Sequence, residues 1–554
     1  MSATAPAPLQ DLRIEPAAEW FGRRLCALMT GVMHEATEPI AWCLHQWMQG
    51  HTCLDLDGCV QAPPRDESSS ERLEAQVPPS WAEALEACDA IARGRPGSLD
   101  AAQAPLVLEG RKLFLARCRS QEIAVARDLA ARARAFAAWC PSGAVPTQVE
   151  AFLTQIAGSL HDAQLQAVRL ACARRLAVIT GGPGTGKTTV AARVIEAVLQ
   201  METPTVLLLA PTGKAAARLQ ESIRARANDG SVHPRAREVL ASLTAETLHG
   251  AILRQRGEAV RRARLLVVDE TSMVDLERMH ELLRLAHPDA SIVLLGDAHQ
   301  LASVEAGTVL ADLVRDGSLA SCVAPLTHSW RFPTDRGVGR LAAAVNAGEA
   351  TAALDCLRAK RDQVDWIEVA TPAQVVARAT QERARLGADA RILCGHRRGP
   401  DGSVRINQSI VRGIAGATTG HFPGRPILVT VNDDNTGLRN GDTGVMRREG
   451  NAWFAHFPGR DPVPAEQLPA HETAFALTIH KTQGSEYEAV VVALPARPSP
   501  VLTRELLYTG LTRTKGPVTV VATEEAIRAA VARPITRSSG LRERLRAAIA
   551  AAGG

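Results

Sequence analysis

Seven short apolar runs recur along the middle and C-terminal parts of the chain: RLAVIT (175–180), PTVLLLAP (204–211), RLLVVDE (264–270), SIVLLGD (291–297), RILCG (391–395), AVVVALP (489–495) and VTVVAT (518–523). None alternates apolar with polar, so each reads as a strand buried on both faces, the signature of a parallel sheet covered by helices. Stretches with helical spacing separate them. From about residue 160 the pattern predicts an α/β fold.

The flanking regions have another texture. Residues 1 to about 60 carry clusters such as WFGRRLCALMTGV and AWCLHQWM, which predict a mostly helical N-terminal domain over 1–105. QAPPRDESSSERLEAQVPPS (61–80) is polar and rich in Pro and Ser, and reads as a loop or disordered linker. WAEALEACDAIARG resumes as helix, PLVLEGRKLFLARC reads as a hairpin, and 119–140 is Ala/Arg-rich and helical. Between about 420 and 472, short strands with Asn-Gly and Gly-rich turns predict a small β-barrel-like insertion. One feature breaks the apolar pattern. In LTIHKTQGSEYEAVVV (477–492) the two ends read as buried strand, with a polar stretch, His480 to Glu488, between them.

The chain has 554 residues, enough for about three or four domains. Its net charge is +4, but residues 1–105 hold 7 Arg, no Lys and 15 acidic residues. The positive excess therefore lies beyond residue 105, and that part is the expected binder of a polyanion. No run reaches the ~18 apolar residues of a membrane span, and MSATAPAPLQDLRIEP has no basic-then-apolar leader pattern. The 11 Cys include no CxxC pair, so the expectation is a cytoplasmic chain with reduced thiols. The closest cluster is His51, Cys53 and Cys59 in HTCLDLDGC, which reads as free thiols with a metal site as the alternative. Lys occurs at only six positions. Where Arg is the default, a Lys marks a place that wants a compact point charge; Lys187, Lys214, Lys481 and Lys515 all fall in the motifs below.

VITGGPGTGKTTV is a strand, a Gly-rich turn and a helix start. Gly181, Gly182, Pro183, Gly184, Thr185 and Gly186 form a loop whose backbone N–H groups can cradle phosphates at a helix N-terminus. Lys187 is expected at the β/γ-phosphates, Thr188 at Mg²⁺, and Thr189 beside them. An apolar strand then delivers Asp269 for the Mg²⁺ shell and Glu270 to orient or deprotonate the attacking water. The pair implies hydrolysis of ATP rather than transfer to a hydroxyl. Gln300, after a third strand, is placed at the γ-phosphate or its water. Arg331 in LTHSWRF and Arg513 in LLYTGLTRTKG are candidates for stabilising charge on the transferring phosphoryl group.

GGPGTGKTT, APTGKAAARL, TLHG, VVDETSMVD, LGDAHQLASVEAG, SWRF, TIHKTQGSEYE and LLYTGLTRTK resemble, in order, the successive motifs of superfamily 1 DNA helicases. The chain is most similar to the RecD group, the α subunits of exodeoxyribonuclease V (RecBCD), over about 160–522. GRPILVTVNDDNTGLRNGDTGV and PLVLEGRKLFLARC also resemble RecD segments. The resemblance implies two RecA-like P-loop NTPase domains, over 106–345 and 346–554, with ATP and Mg²⁺ between them. It also implies an SH3-like barrel insertion at about 420–472. Gln164 becomes the adenine-reading Gln, Glu486 a ribose neighbour, and Arg331 and Arg513 the γ-phosphate arginines. Thr212, Lys214, His249 and His480 become residues along single-stranded DNA or couplers of it to ATP. The implied activity is 5′–3′ DNA translocation and unwinding inside a heterotrimer with RecB-like and RecC-like subunits acting on DNA ends. The short acidic N-terminal region favours such docking; a free-standing 5′–3′ helicase is the alternative. Two departures stand out: Gly250 replaces a common basic residue, and TRTKG a double-basic ending. A relaxase-helicase needs a Tyr nucleophile beside a His cluster, whereas Tyr487 and Tyr508 both lie in helicase motifs. No acid cluster of nuclease type is evident, so any cutting is expected from another chain.

Overall fold

The computed structural model describes residues 9, 12–29, 32–62, 73–95, 104–254, 257–414, 420–497 and 499–551. Its N-terminal region adds short strands to the expected helices, which include Pro79–Ala87. Helices Pro16–Leu28 and Thr37–Met48 sit where the apolar clusters predict them. They share the region with six strands: β1 (Cys53–Asp55), β2 (Cys59–Ala62), β3 (Leu73–Gln76), β4 (Ala92–Arg93), β5 (Leu106–Glu109) and β6 (Lys112–Leu115). The strands are two to four residues long, too short for alternation to register in the sequence. β2 and β3 pair antiparallel, so part of the polar stretch 61–80 is strand rather than linker. Its residues 63–72 lie outside the described residues.

The expected boundary at 105/106 also moves. The β5–β6 hairpin pairs through β6 with β1 in the sheet β1-β6-β5-β4, so the N-terminal unit runs to Leu115. Helix Ala116–Arg134 then enters the first core.

That core is a parallel six-stranded sheet in the order β12-β7-β11-β10-β8-β9. Its strands are β7 (Leu176–Gly181), β8 (Val206–Ala210), β9 (Ala245–Thr247), β10 (Leu265–Val268), β11 (Ser291–Gly296) and β12 (Val323–Leu326). Helices Asp162–Ala173, Lys187–Val198 and Gly213–Ala227 cover one face. Helices Ala116–Arg134, Leu276–Leu285 and the C-terminal Leu541–Ala550 cover the other.

A second parallel sheet has the order β13-β22-β21-β14-β20. It is built from β13 (Val364–Glu368), β14 (Ala390–Cys394), β20 (Ala476–Thr478), β21 (Ala489–Ala493) and β22 (Val518–Ala522). Helix Gly337–Ala347 already packs on it through Val338, Leu341 and Val345, and the C-terminal helix has left it for the first core. The second body therefore starts before residue 346 and ends before 541. Between β14 and β20 stands a five-stranded antiparallel sheet, order β18-β17-β16-β15-β19. It consists of β15 (Pro426–Val429), β16 (Thr443–Glu449), β17 (Ala452–His456), β18 (Val463–Pro464) and β19 (His471–Thr473), with its own core of Ile427, Val429, Met446 and Phe457.

The polar stretch 480–488 does not interrupt one strand. β20 and β21 flank β14 on opposite sides, both parallel to it, so this stretch leaves the carboxyl end of β20 and returns the chain to the amino end of β21. A parallel neighbour demands such a crossover.

Candidate active site at the cleft between the two sheets

The phosphate loop leaves β7, buried along almost its whole length, and enters helix Lys187–Val198. Gly184 has φ +77°, a backbone region side chains disfavour, and a Cβ there would lie 2.5 Å from Arg331 Cβ. At Gly182 a Cβ would lie 2.9 Å from the Tyr508 hydroxyl. The first-turn N–H groups of the helix, at Lys187, Thr188 and Thr189, have no intrahelical acceptor and suit an anion. Lys187 Nζ donates to the carbonyls of Gly181 (2.6 Å) and Gly182 (3.1 Å). Gln164 is buried and braces the loop: Nε2 donates to Thr185 O at 2.9 Å, and Oε1 accepts from His161 N–H at 3.0 Å.

β10 delivers the acids. Glu270 stands at φ +50°, a conformation that costs a non-glycine residue about 1–3 kcal/mol, and its N–H donates to Asp269 Oδ1 at 2.8 Å. Burial and then the adjacent Glu270 push Asp269 up to about 6, against the pull of Lys187. β11 leads to Asp297, whose Oδ2 accepts from Gln300 Nε2 (3.1 Å) and from the Tyr508 hydroxyl (2.9 Å). Tyr508 comes from helix Arg504–Leu511 of the second body. Burial, then Asp297, holds its hydroxyl well above the ordinary tyrosine range.

The cleft's other charges meet at Glu486 in the polar crossover. Its Oε1 lies 2.5 Å from Arg218 Nη2 and 2.6 Å from Arg331 Nη1. Burial acts to raise this carboxyl, but the two arginines outweigh it and hold it below the usual range. Gly484 packs against Ala215, and Gln483 Nε2 donates to Leu301 O at 2.9 Å. Arg513 is almost completely buried, and its Nε has no hydrogen-bond partner among the described residues.

Pro183, Gly184, Gly186, Lys187, Thr188, Thr189, Asp269, Glu270, Gln300, Arg331, Glu486 and Arg513 line one cavity of about 330 Å³. Gln164, Gly181, Gly182 and Thr185 support the loop around it. The residues expected along DNA do not gather into one set. Thr212 and His249 line a groove with Asn432, Asp434, Arg439 and Asn440 of the antiparallel insertion. Thr212 Oγ1 also caps helix Gly213–Ala227 by accepting from Ala215 N–H at 3.2 Å. Lys214 is absent from that groove and holds Nζ 5.9 Å from the centre of the Tyr487 ring. Burial lowers it to about 8; Asp442 opposes the shift, and Arg391 and Arg218 add to it. His480 is exposed at the start of the crossover. His51 Nδ1 accepts from Ser538 N–H at 2.9 Å, and no His, Cys, Asp or Glu grouping among the described residues is arranged to hold a metal ion.

Arg218, Asp297 and Tyr508 escaped the sequence reading. All three lie inside quoted motifs, and the scarcity of Tyr, two in the whole chain, was the available signal for Tyr508.

Family models match in three places: RecBCD enzyme subunit RecD, N-terminal domain, over residues 21–114; an AAA domain over 159–369; and a UvrD-like helicase C-terminal domain over 473–521. The chain is 37% identical over 575 residues to the RecBCD enzyme subunit RecD of Mycolicibacterium smegmatis, covering 97% of this chain and 98% of that one. The chain belongs to the RecD family. Another RecD-family relative, the ATP-dependent RecD2 DNA helicase of Deinococcus radiodurans, is 31% identical over 468 residues, 81% of this chain and 60% of the relative. Among solved structures, Bacteroides Pif1 bound to ssDNA aligns with a TM-score of 0.38 and 17% identity over 69% of this chain and 94% of that one. The RecD N-terminal match ends at residue 114, within β6, in keeping with a sheet that crosses residue 105.

Proposed function

We propose that this protein is an ATP-driven 5′–3′ DNA helicase, the motor subunit of a RecBCD-type exodeoxyribonuclease V that processes DNA ends in double-strand break repair and recombination. The observation that carries the ATP reading is Arg513: a buried guanidinium with an unpartnered Nε, lining the same cavity as the phosphate loop. A buried cation without a partner is costly, and a phosphate oxygen meets that need.

ATP with Mg²⁺ supplies a hydrolysable phosphoanhydride and a charge-neutralising cation. Gly184, Gly186 and the first-turn N–H groups bind its phosphates, and Lys187 leaves its carbonyl partners for the β/γ-phosphates. Thr188 and Asp269 hold Mg²⁺; Glu270 takes the proton of the attacking water, which Gln300 orients. Arg331 and Arg513 bear on the γ-phosphate from the far side of the cleft, and Gln164 and Glu486 flank the nucleoside. Because Glu486 pairs with Arg331 and Arg218, nucleotide entry and the rearrangement of these pairs are coupled, and the two bodies close and reopen with each cycle. Thr212, Lys214, His249 and His480 work along single-stranded DNA, and the antiparallel insertion is an SH3-like barrel that walls the groove of Thr212 and His249.

Subunit docking is supported by the RecD names of the relatives and by exposed Trp20, Phe21 and Leu28 on the first helix. The partners in this reading are RecB-like and RecC-like chains, one of which cuts DNA. The test is DNA-stimulated ATP hydrolysis and unwinding of 5′-tailed duplexes, both lost in Lys187→Gln, together with a pull-down from the native cell. Wild-type turnover in Lys187→Gln refutes the site; DNA cleavage by the purified chain alone refutes the division of labour.

A further inference from the structure

The last segment of the chain runs from the second body back across the first. Ile535 N–H donates to Glu505 Oε2 at 2.9 Å. Arg537 then reaches the loop that follows Gln300: Nη1 donates to Glu305 O (2.8 Å) and Gly307 O (3.3 Å), and Nη2 to Ser303 O (2.7 Å). The next residue joins the N-terminal domain, with Ser538 N–H on His51 Nδ1 at 2.9 Å and Thr52 N–H on Ser538 O at 3.0 Å. Gly50 makes room for the guanidinium, since a Cβ there would meet Arg537 Cζ at 2.5 Å, and its carbonyl accepts from Gly307 N–H at 2.9 Å. Between Gln300 and this clamp, Leu301 gives its carbonyl to Gln483 (2.9 Å) and takes the Thr509 hydroxyl on its N–H (3.0 Å). A single side chain thus donates to three carbonyls of a loop touched by the second body on one side and the N-terminal domain on the other; the Ser303 hydroxyl shares two of them, Glu305 O (3.1 Å) and Gly307 O (3.0 Å).

We propose that Arg537 is a positioning residue: it fixes the Ser303–Gly307 loop, and through it the placement of Gln300 in the ATP cleft, and ties that loop to the N-terminal domain. The inference rests on the ATP-hydrolysis reading above. An arginine suits the task because its rigid fork of five donors can serve several carbonyls at once, whereas a lysine keeps the charge and only part of that geometry.

The experiment uses the full chain with Arg537→Ala, Arg537→Lys and Arg546→Ala. Arg546 belongs to the same tail but pairs with Asp316 (2.6 Å), away from the loop. DNA-stimulated ATP hydrolysis, affinity for a fluorescent ATP analogue and melting temperature are measured for each. Arg537→Ala is expected to lower kcat about tenfold, with KM and nucleotide affinity within about twofold. Arg537→Lys recovers part of the loss, and Arg546→Ala keeps wild-type kcat. If Arg537→Ala does not fold, the same split is read from Arg537→Lys against wild type. Unchanged kcat, a change confined to KM, or an equal loss in Arg546→Ala overturns the proposal. Wild-type protein without ATP hydrolysis overturns the underlying reading instead.

Discussion

Arg513 is useful to a helicase because the fold leaves it unsatisfied. Its guanidinium is held in place by burial, so removing it should disturb little besides the charge proposed to stabilise the transferring phosphoryl group. Arg513→Ala is expected to slow hydrolysis by about 10³-fold or more while nucleotide still binds; loss of nucleotide binding would indicate a structural role. Lys214 offers a test by pH. Its ammonium is charged below about 8 and neutral above it, so the contact with the Tyr487 ring is present at low pH and lost as pH rises through about 8. DNA-stimulated ATP hydrolysis should decline over that range, and Lys214→Arg, which stays charged, should flatten the decline; an unchanged profile rejects a role for the ammonium. The phosphate loop and the acid pair were legible in the sequence because their chemistry depends on neighbours along the chain. Arg218, Asp297 and Tyr508 were not. Asp297 and Tyr508 are 211 positions apart, and no periodicity joins Arg218 to Glu486. The resemblance named most of the residues that line the cavity, whereas the meeting of Arg218 and Arg331 at Glu486 is visible only in three dimensions.

Among elements, position in the sheet decides what the sequence reveals. The seven apolar runs are β7, β8, β10, β11, β14, β21 and β22, every interior strand of the two parallel sheets. The edge strands β9, β12 and β13 carry AET, VAPL and VDWIE, which have no reason to be continuously apolar because they lack a second neighbour. β20, also an edge, was legible only as the apolar lead into the polar crossover. The N-terminal strands were missed for their shortness, and the placement of the C-terminal helix because an amphipathic pattern says which face is buried and not against what. That helix is held by a buried charge network. Glu122, fully buried, accepts from Thr52 Oγ1 (2.6 Å), Ser539 Oγ (3.1 Å), Gly540 N–H (3.0 Å) and Arg544 Nε (3.0 Å). Arg544 continues to Glu109 Oε1 at 2.7 Å. Glu122→Ala takes the acceptor from Gly540 N–H and Arg544 Nε, while Thr52 Oγ1 keeps Ser538 O (3.2 Å) and Arg544 keeps Glu109, and should destabilise the docking by about 3 kcal/mol. The readout is a lower melting temperature with faster proteolysis at residues 541–551; wild-type resistance there would mean that apolar packing and the remaining ion pairs, such as Arg546 with Asp316, hold the helix without Glu122.

At the scale of the whole molecule the N-terminal domain is tied to the motor, not tethered to it. Removing residues 1–105, the obvious way to test partner docking, would take β1 and β4 out of a sheet that keeps β5 and β6, and would strip His51 and Thr52 from the C-terminal segment. Loss of a partner after such a truncation would report damage as readily as docking. Surface substitution avoids this. Trp20 (61% exposed), Phe21 (55%) and Leu28 (72%) lie on helix Pro16–Leu28, and positions 21 and 28, seven apart, share one helical face. Trp20 and Phe21 touch edge to face at 5.0 Å. Exposed aromatic residues of this kind mark protein interfaces, where single residues carry about 2 kcal/mol or more of binding. The Trp20→Glu, Phe21→Glu double variant is therefore expected to fold, to keep DNA-stimulated ATP hydrolysis within about twofold of wild type, and to lose co-purification with its partner chains. Retained co-purification would move the docking surface elsewhere on the molecule. Loss of ATP hydrolysis together with the partner would show that the domain feeds the motor directly, by way of the clamp at Arg537.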